Sequence, residues 1–330
     1  MRCRLVGSIA LAALLGTSAF AADDVPVPGR RPECTLNPNF TVADFSASLS
    51  NLAADQGRSA LEQLKLFKIG TVFRYYDHED ETLPGKTLFH AESDAIISAG
   101  LKIGVVFQHH NDDPAKFLVP DSGAKDAERA LKLADENRQP YGSTIYFAVD
   151  GPERHLGPLI REYNLNDGNP MSEDRKAQLR QQNKAYFIIS YEKFLRYGKE
   201  VFKADKLNKL TPAMMNPVIT RYFDLIRQAF RAYAQQHGDK GYRVGMYCTA
   251  AMCRLGDDKH LAEMFWISPE GRNDPEYRQF LQRSAHWSLA QQLPTPCPNW
   301  SPTPDHRKLE FDFNYVNPQK IDFGQWGTKR

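Results

Sequence analysis

The stretch Thr144–Asp150, read Thr-Ile-Tyr-Phe-Ala-Val-Asp, decides how the chain is organised. A period of two puts Ile145, Phe147 and Val149 on one face of a strand and Thr144, Tyr146, Ala148 and Asp150 on the other. The first face suits packing under helices. The second carries a phenol and ends in a carboxylate, and Gly151-Pro152 stops the strand where Asp150 emerges. A carboxylate at the C-terminal end of a strand, with helical patterns on both sides in sequence, sits where α/β barrels keep their chemistry. The alternative is a carboxylate that only caps the following loop.

Working back from this stretch, helical and strand patterns alternate. Gly123–Asn137 reads as a helix through Ala127, Ala130, Leu131 and Ala134, and Pro140-Tyr141-Gly142 turns it into the strand. Before it come a strand over Lys102–Gln108, a helix over Phe89–Ala99 stopped by Gly100, and a strand over Thr71–Tyr76. Gln56–Lys68 reads as an amphipathic helix, and Thr41–Ser46 as the first strand. Such alternation predicts parallel βα units rather than hairpins.

Beyond Asp150 the rhythm breaks. Residues 152–217 exceed what one crossover needs, and Ser172–Lys203 reads as a long helix with Ser172 as its cap and Glu173 and Asp174 in its first turn. A helical insertion after the fourth strand is expected here. Val218–His237 is the next helix, followed by strands over Gly241–Cys248, Met264–Ser268, His286–Gln292 and Leu309–Val316. Glu276–Arg283 reads as helix, and Pro294–Pro304 as a proline-rich excursion. The fold expected is α/β, a (β/α)8 TIM barrel over residues 41–330 with eight parallel strands and that insertion.

Met1–Ala21 has the form of a Sec-type signal peptide: Arg2 and Arg4, a short apolar run over Leu5–Leu15, and Ala19-Phe20-Ala21 as the cleavage site. The run is too short to span a bilayer, so a periplasmic or secreted product with no membrane span is expected. Residues 22–40 read as an extended leader. The whole chain has 42 basic and 40 acidic residues. Loss of Arg2 and Arg4 brings the balance close to zero, which argues against a nucleic-acid partner. Cys34, Cys248, Cys253 and Cys297 remain after cleavage, an even count that suggests two disulfides in an oxidising compartment. Cys248 and Cys253 lie close enough to close a small loop, which would leave Cys34 to Cys297.

Polar and aromatic residues gather at the strand ends: Asp44, Arg74 and Tyr76, Gln108, Asp150, Tyr247, Trp266, Gln291, and Asp312 with Asn314. Carboxylates that move protons, amides that hold hydroxyls and aromatic faces that stack on sugar rings are what a carbohydrate site needs. No cofactor is expected, since no glycine-rich phosphate loop is present, and no metal. His109-His110 with Asp112-Asp113 reads as a solvated loop, because adjacent residues on a strand end point apart.

Several stretches together resemble a known family: Phe73-Arg74-Tyr75-Tyr76, Ala99–Ile103, Asp126–Ala130, Thr144–Asp150, Tyr242–Tyr247 and Phe311-Asp312-Phe313-Asn314. The chain from Val42 to Val316, the insertion aside, resembles the glycoside-hydrolase-like TIM-barrel domain of exported bacterial proteins, a relative of the Chalaropsis-type lysozymes (glycoside hydrolase family 25). In those relatives the fourth strand carries Asp-x-Glu, with Glu as the acid. Here Ala148 stands in place of the Asp and Asp150 in place of the Glu. The resemblance also places Asp44 and Asp312 at acidic positions of the first and eighth strands.

The resulting expectation is a glycoside-hydrolase-like protein acting on cell-envelope glycan, peptidoglycan among others. Asp150 serves as acid/base, Asp44 and Asp312 complete the catalytic set, and Arg74, Tyr76, Gln108, Tyr146, Tyr247, Trp266, Gln291 and Asn314 bind substrate. The alternative is a non-catalytic glycan-binding or envelope-structural protein on a hydrolase scaffold, which Ala148 favours.

Overall fold

The computed structural model describes residues 41–330 apart from 47, 49–59, 63, 79–84, 204, 271, 284 and 293–310. The stretches read as signal peptide and leader, Cys34, Cys297 and the proline-rich stretch lie outside the described residues.

Eight strands close into a barrel in sequence order. They are β1 (Val42–Phe45), β2 (Thr71–Tyr76), β3 (Lys102–Phe107), β4 (Thr144–Val149), β5 (Arg243–Cys248), β6 (Met264–Ile267), β7 (Leu289–Gln292) and β8 (Phe311–Val316). Neighbours from β1 to β7 pair in parallel. The expectation of eight parallel strands is corrected at β8, which runs antiparallel to both β1 and β7. A parallel return needs a crossover, usually a helix. Five prolines between Pro294 and Pro304 remove helix donors from the only chain available for it.

Helices cover the outside. The first lies at residues 60–62 and 64–66 (α1), followed by α2 (His90–Ser98), α3 (Pro114–Leu118) and α4 (Ser122–Glu136). After β4 come α5 (Pro152–Leu165), α6 (Glu173–Gln181), α7 (Ala185–Phe202) and α8 (Met215–Gln236); α9 (Ala250–Asp258) and α10 (Pro275–Gln282) complete the ring. The single helix expected over Ser172–Lys203 is two, broken at Gln182–Lys184, and α5 precedes them. Gly157 and Pro158 lie inside α5 and mask its pattern in the sequence. Ser172 does cap α6, its hydroxyl accepting from the Arg175 amide at 3.2 Å, with Glu173 and Asp174 in the first turn.

The core has two parts. Outward-facing strand residues such as Val72, Ile103, Ile145, Phe147 and Met246 pack under the helices. Inward-facing residues, among them Phe73, Tyr75, Tyr146, Ala148, Tyr247 and Trp266, fill the barrel. The alternation read in Thr144–Asp150 is thus the division between these two layers. Residues Asp322–Trp326 close the end where β3, β4 and β5 begin: Gly324 O accepts from Thr144 N, and Ile103 and Trp326 exchange backbone hydrogen bonds.

Cys248 and Cys253 form a disulfide that ties the end of β5 to the first turns of α9. Among the described residues, no helix is long and apolar enough to cross a membrane.

Candidate functional site

The site is built from the barrel floor upward. Low in the interior, the Phe73 ring lies 5.6 Å from the Tyr146 ring and 4.6 Å from the Trp266 ring, centre to centre. Glycines make this possible. A Cβ on Gly104 would stand 2.3 Å from the Phe73 ring, and one on Gly245 would stand 2.6 Å from the Tyr146 ring. Above this layer, Trp266 Nε1 donates to Asn314 Oδ1 at 2.7 Å, and Asn314 Nδ2 donates to Asp44 Oδ2 at 2.8 Å. Because the indole can only donate, it fixes the Asn314 amide with its NH2 toward the carboxylate.

Asp44 therefore sits on a prepared seat. Tyr75 Oη donates to its Oδ1 at 3.0 Å, and Gln291 Nε2 reaches its Oδ2 at 3.3 Å. The same Gln291 Nε2 donates to Asp312 Oδ2 at 2.9 Å, while Tyr247 Oη donates to Gln291 Oε1 at 2.7 Å. One amide thus binds two carboxyl groups, which are cross-strand partners in the β1–β8 register. Burial first, and the Asp312 charge second, raise the Asp44 pKa well above the usual carboxylate range, against the donors that hold it. Burial also pushes the Tyr75 and Tyr247 phenols far up, so both remain donors.

A cleft of about 420 Å³ opens above this seat, with Asp150, Asp312, Tyr75, Gln108, Tyr247 and Gln291 on its walls. A chamber of about 20 Å³ beneath it is bordered by Asp44, Gln108 and Trp266. That is room for roughly one water. Asp150 emerges just past β4. Its Oδ1 is buried and has no hydrogen-bond partner among the described residues. Burial, with smaller contributions from Glu270, Asp112 and Glu153, raises its pKa to about 6, although the Ser268 hydroxyl works the other way. Ser268, Pro269, Glu270 and Arg272 form the rest of the rim.

Antiparallel β8 does not scatter the acids. Asp312 lies at the beginning of β8, which is the end where β1–β7 finish, so it meets Asp44 at the mouth. Gln108, Tyr247, Gln291, Asp150 and Asp312 line the cleft, and Asp44 and Trp266 the chamber. Four of the expected binding residues line neither. Arg74 faces outward and is fully buried, with Nε 2.8 Å from Glu92 Oε1 and Nη1 donating to Phe45 O. Tyr76 also faces outward and donates to Gln139 Oε1 at 2.9 Å. Tyr146 faces inward but too deep, its hydroxyl donating to Phe323 O at 2.9 Å. Asn314 is buried beneath Asp44 and acts on the cleft only through it.

The residue missed on β2 is Tyr75. Both faces of Thr71–Tyr76 carry large side chains, so parity alone does not say which looks inward. The deciding group, Glu92, is an α2 residue that draws Arg74 outward. Lys86, Glu270 and Arg272 were missed because loop residues carry no periodicity, and Ser268, read as the last residue of a strand, lies just beyond β6 on the rim.

Among the described residues, no group of three or more His, Cys, Asp or Glu side chains is placed to hold a metal ion. His109 Nδ1 pairs with Asp77 Oδ1 at 2.7 Å, and His110 stacks on Tyr186 with ring centres 3.9 Å apart. Asp113 caps α3 and accepts from the Tyr186 and Ser190 hydroxyls.

A family model described as "Rv2525c-like, glycoside hydrolase-like domain" matches residues 62–156. The likeness to a glycoside-hydrolase-like domain read from the sequence is therefore shown for this segment. It runs from α1 into α5 and contains Tyr75, Gln108 and Asp150. Solved structures similar to the chain include the Tat-secreted protein Rv2525c of Mycobacterium tuberculosis. In complex with HEPES it is 17% identical, with 87% of this chain and 99% of that one covered and a TM-score of 0.45. In complex with L-tartrate it is 18% identical, with 86% and 98% covered and a TM-score of 0.45. An uncharacterized B. stearothermophilus protein is 12% identical, with 86% and 98% covered and a TM-score of 0.44. No curated protein matches significantly.

Proposed function

We propose that the chain is an exported glycoside hydrolase-like enzyme that acts on cell-envelope glycan, with peptidoglycan as the first substrate to test. The observation that carries this reading is the Asp150 carboxyl, raised to about pKa 6 by burial and set in one cleft with Asp312 and, below it, Asp44. Two kinds of carboxyl environment in one cleft are what acid/base cleavage of a glycosidic bond requires. Asp150, protonated, gives its proton to the departing glycosidic oxygen as the bond to the anomeric carbon breaks. A water adds to that carbon and loses a proton to Asp312, the charged member of the Asp44–Asp312 pair, with the chamber beside Asp44 offering the place to hold it. Gln108, Tyr247 and Gln291 supply hydrogen bonds, and Tyr75 an aromatic face.

The test is incubation of the mature protein with purified peptidoglycan, scoring soluble fragments and retained protein in one tube. Wild type should release fragments. Asp150→Asn should still be retained but lose ~10²–10⁴ in rate, the typical worth of a general acid. Because the acid must carry its proton, turnover should fall as pH rises above about 6. Undiminished turnover by a folded Asp150→Asn variant would remove Asp150 from the mechanism.

Ala148 favours a second reading, a glycan-binding protein without turnover. It is buried within the barrel two residues before Asp150, so β4 supplies no second carboxylate to that acid. Retention on peptidoglycan with no fragments at any pH is the signature of this reading.

A further inference from the structure

Lys86 lies in the loop between β2 and α2, next to Thr87, whose backbone bridges to Tyr75. Only 7% of it is exposed. Its Nζ donates to Gln108 Oε1 at 2.8 Å and stands 4.4 Å from the centre of the Tyr75 ring. Its own carbonyl accepts from Arg74 Nη2 at 3.1 Å, so the backbone behind it is pinned by the buried Arg74–Glu92 pair. An ammonium is costly to bury unless it is paired and hydrogen-bonded. This one has an amide oxygen, a ring face and the nearby charge of Asp77; burial pulls its pKa down to about 8, which leaves it an ammonium at neutral pH.

We propose that Lys86 is a positioning residue: it fixes which way round Gln108 presents its carboxamide, and so makes that wall of the cleft a hydrogen-bond donor to an acceptor oxygen of the ligand. An ammonium has three protons and no lone pair. Oε1 must face it, because a flipped amide would set NH2 against NH3+. Gln108 Nε2 is then the end left for the cleft and the chamber, both of which Gln108 lines. No second side-chain hydrogen bond holds the amide among the described residues. The same logic operates below, where the donor-only indole of Trp266 orients Asn314 toward Asp44. The matching ligand group is an oxygen with lone pairs and no proton to clash, such as an acetamido carbonyl or a carboxylate. The ligand's being a saccharide rests on the function proposed above; the orientation of Gln108 does not.

The experiment separates the two. In an amide-detected NMR spectrum of the 15N-labelled protein, the side-chain NH2 signal lost in Gln108→Glu is that of Gln108. Lys86→Met, which keeps the length of the chain and removes the ammonium, should shift or broaden that signal as the amide becomes free to turn. Binding of N,N′-diacetylchitobiose, measured on the same samples, should weaken roughly three- to tenfold in Lys86→Met and in Gln108→Glu, the loss expected for one neutral hydrogen bond. An unmoved Gln108 signal in folded Lys86→Met overturns the positioning role. A moved signal with undiminished disaccharide binding overturns the donor role. Absence of binding by wild type counts against the saccharide reading, and the Gln108 signal still decides whether Lys86 orients the amide.

Discussion

Asp44 and Asp150 carry raised pKa values for the same first reason, burial, but their surroundings differ in a way that separates their substitutions. Asp44 accepts from Tyr75, Asn314 and Gln291. An amide there would turn its NH2 against a donor. Asp150 has an oxygen with no hydrogen-bond partner among the described residues, so an amide there leaves nothing worse paired. Asp150→Asn should therefore be stabilising as well as inactivating. The folded protein holds the Asp150 proton to about pH 6, whereas an unfolded Asp releases it near pH 4. Between those values the native state binds more protons than the unfolded state, so stability falls as pH rises, and above about 6 the full cost of the buried charge is present. The variant escapes this cost, on the order of 1–3 kcal/mol. Thermal melts at pH 8 should show Asp150→Asn above wild type, with the gap closing toward pH 4. A lower melting temperature at pH 8 would mean that Asp150 is a structural cap.

At the scale of elements, the positions of the strands were legible even where the inward face was not. Thr144–Val149 and Thr71–Tyr76 fall where the sequence placed strands, because a period of two with turn residues at either end has one physical solution. Direction was another matter. The reversal of β8 was recoverable only from the five prolines that precede it in sequence, and which face of β2 looks inward depended on a carboxylate in α2. The glycines of β3 and β5 belong to this scale too, because they let one strand's aromatic ring fill its neighbour's empty position. Gly104→Ala and Gly245→Ala each drive a methyl into a ring that is boxed in by Trp266. Neither ring can swing away, so each change should destabilise by about 1–3 kcal/mol, the usual range for overpacking. Urea unfolding would show a lower midpoint at unchanged slope. Full stability in both variants would mean that the ring layer is looser than its distances imply.

Across the whole molecule, the two ends of the barrel are built differently; in this architecture the C-terminal face is the usual place for chemistry and the N-terminal face for stability. The acids, the cleft and the loop after β6 are at one end. At the other, the last residues of the chain fold under the floor. Phe323 joins the interior cluster, its carbonyl accepts from Tyr146 Oη, and Arg243 grips Asp322 through two hydrogen bonds of 3.0 and 2.9 Å. Nothing in the local pattern around Trp326 says that it pairs with Ile103, because the strand that receives it begins more than two hundred residues earlier in the chain. Phe323→Ala removes a ring that is 3% exposed and stacked 6.1 Å from Phe73. The loss should be about 3–5 kcal/mol, as for other buried Phe-to-Ala changes. Because the floor is separated from the mouth by the Trp266–Asn314 layer, the protein that remains folded should keep the cleft as it was. Unfolding in urea should report the lost stability, and titration of Asp150 by NMR at a temperature well below the melt should still give a midpoint of about 6. If Phe323→Ala moved that midpoint by a full unit in folded protein, the floor and the mouth would be coupled, and the division of labour argued from their geometry would fail.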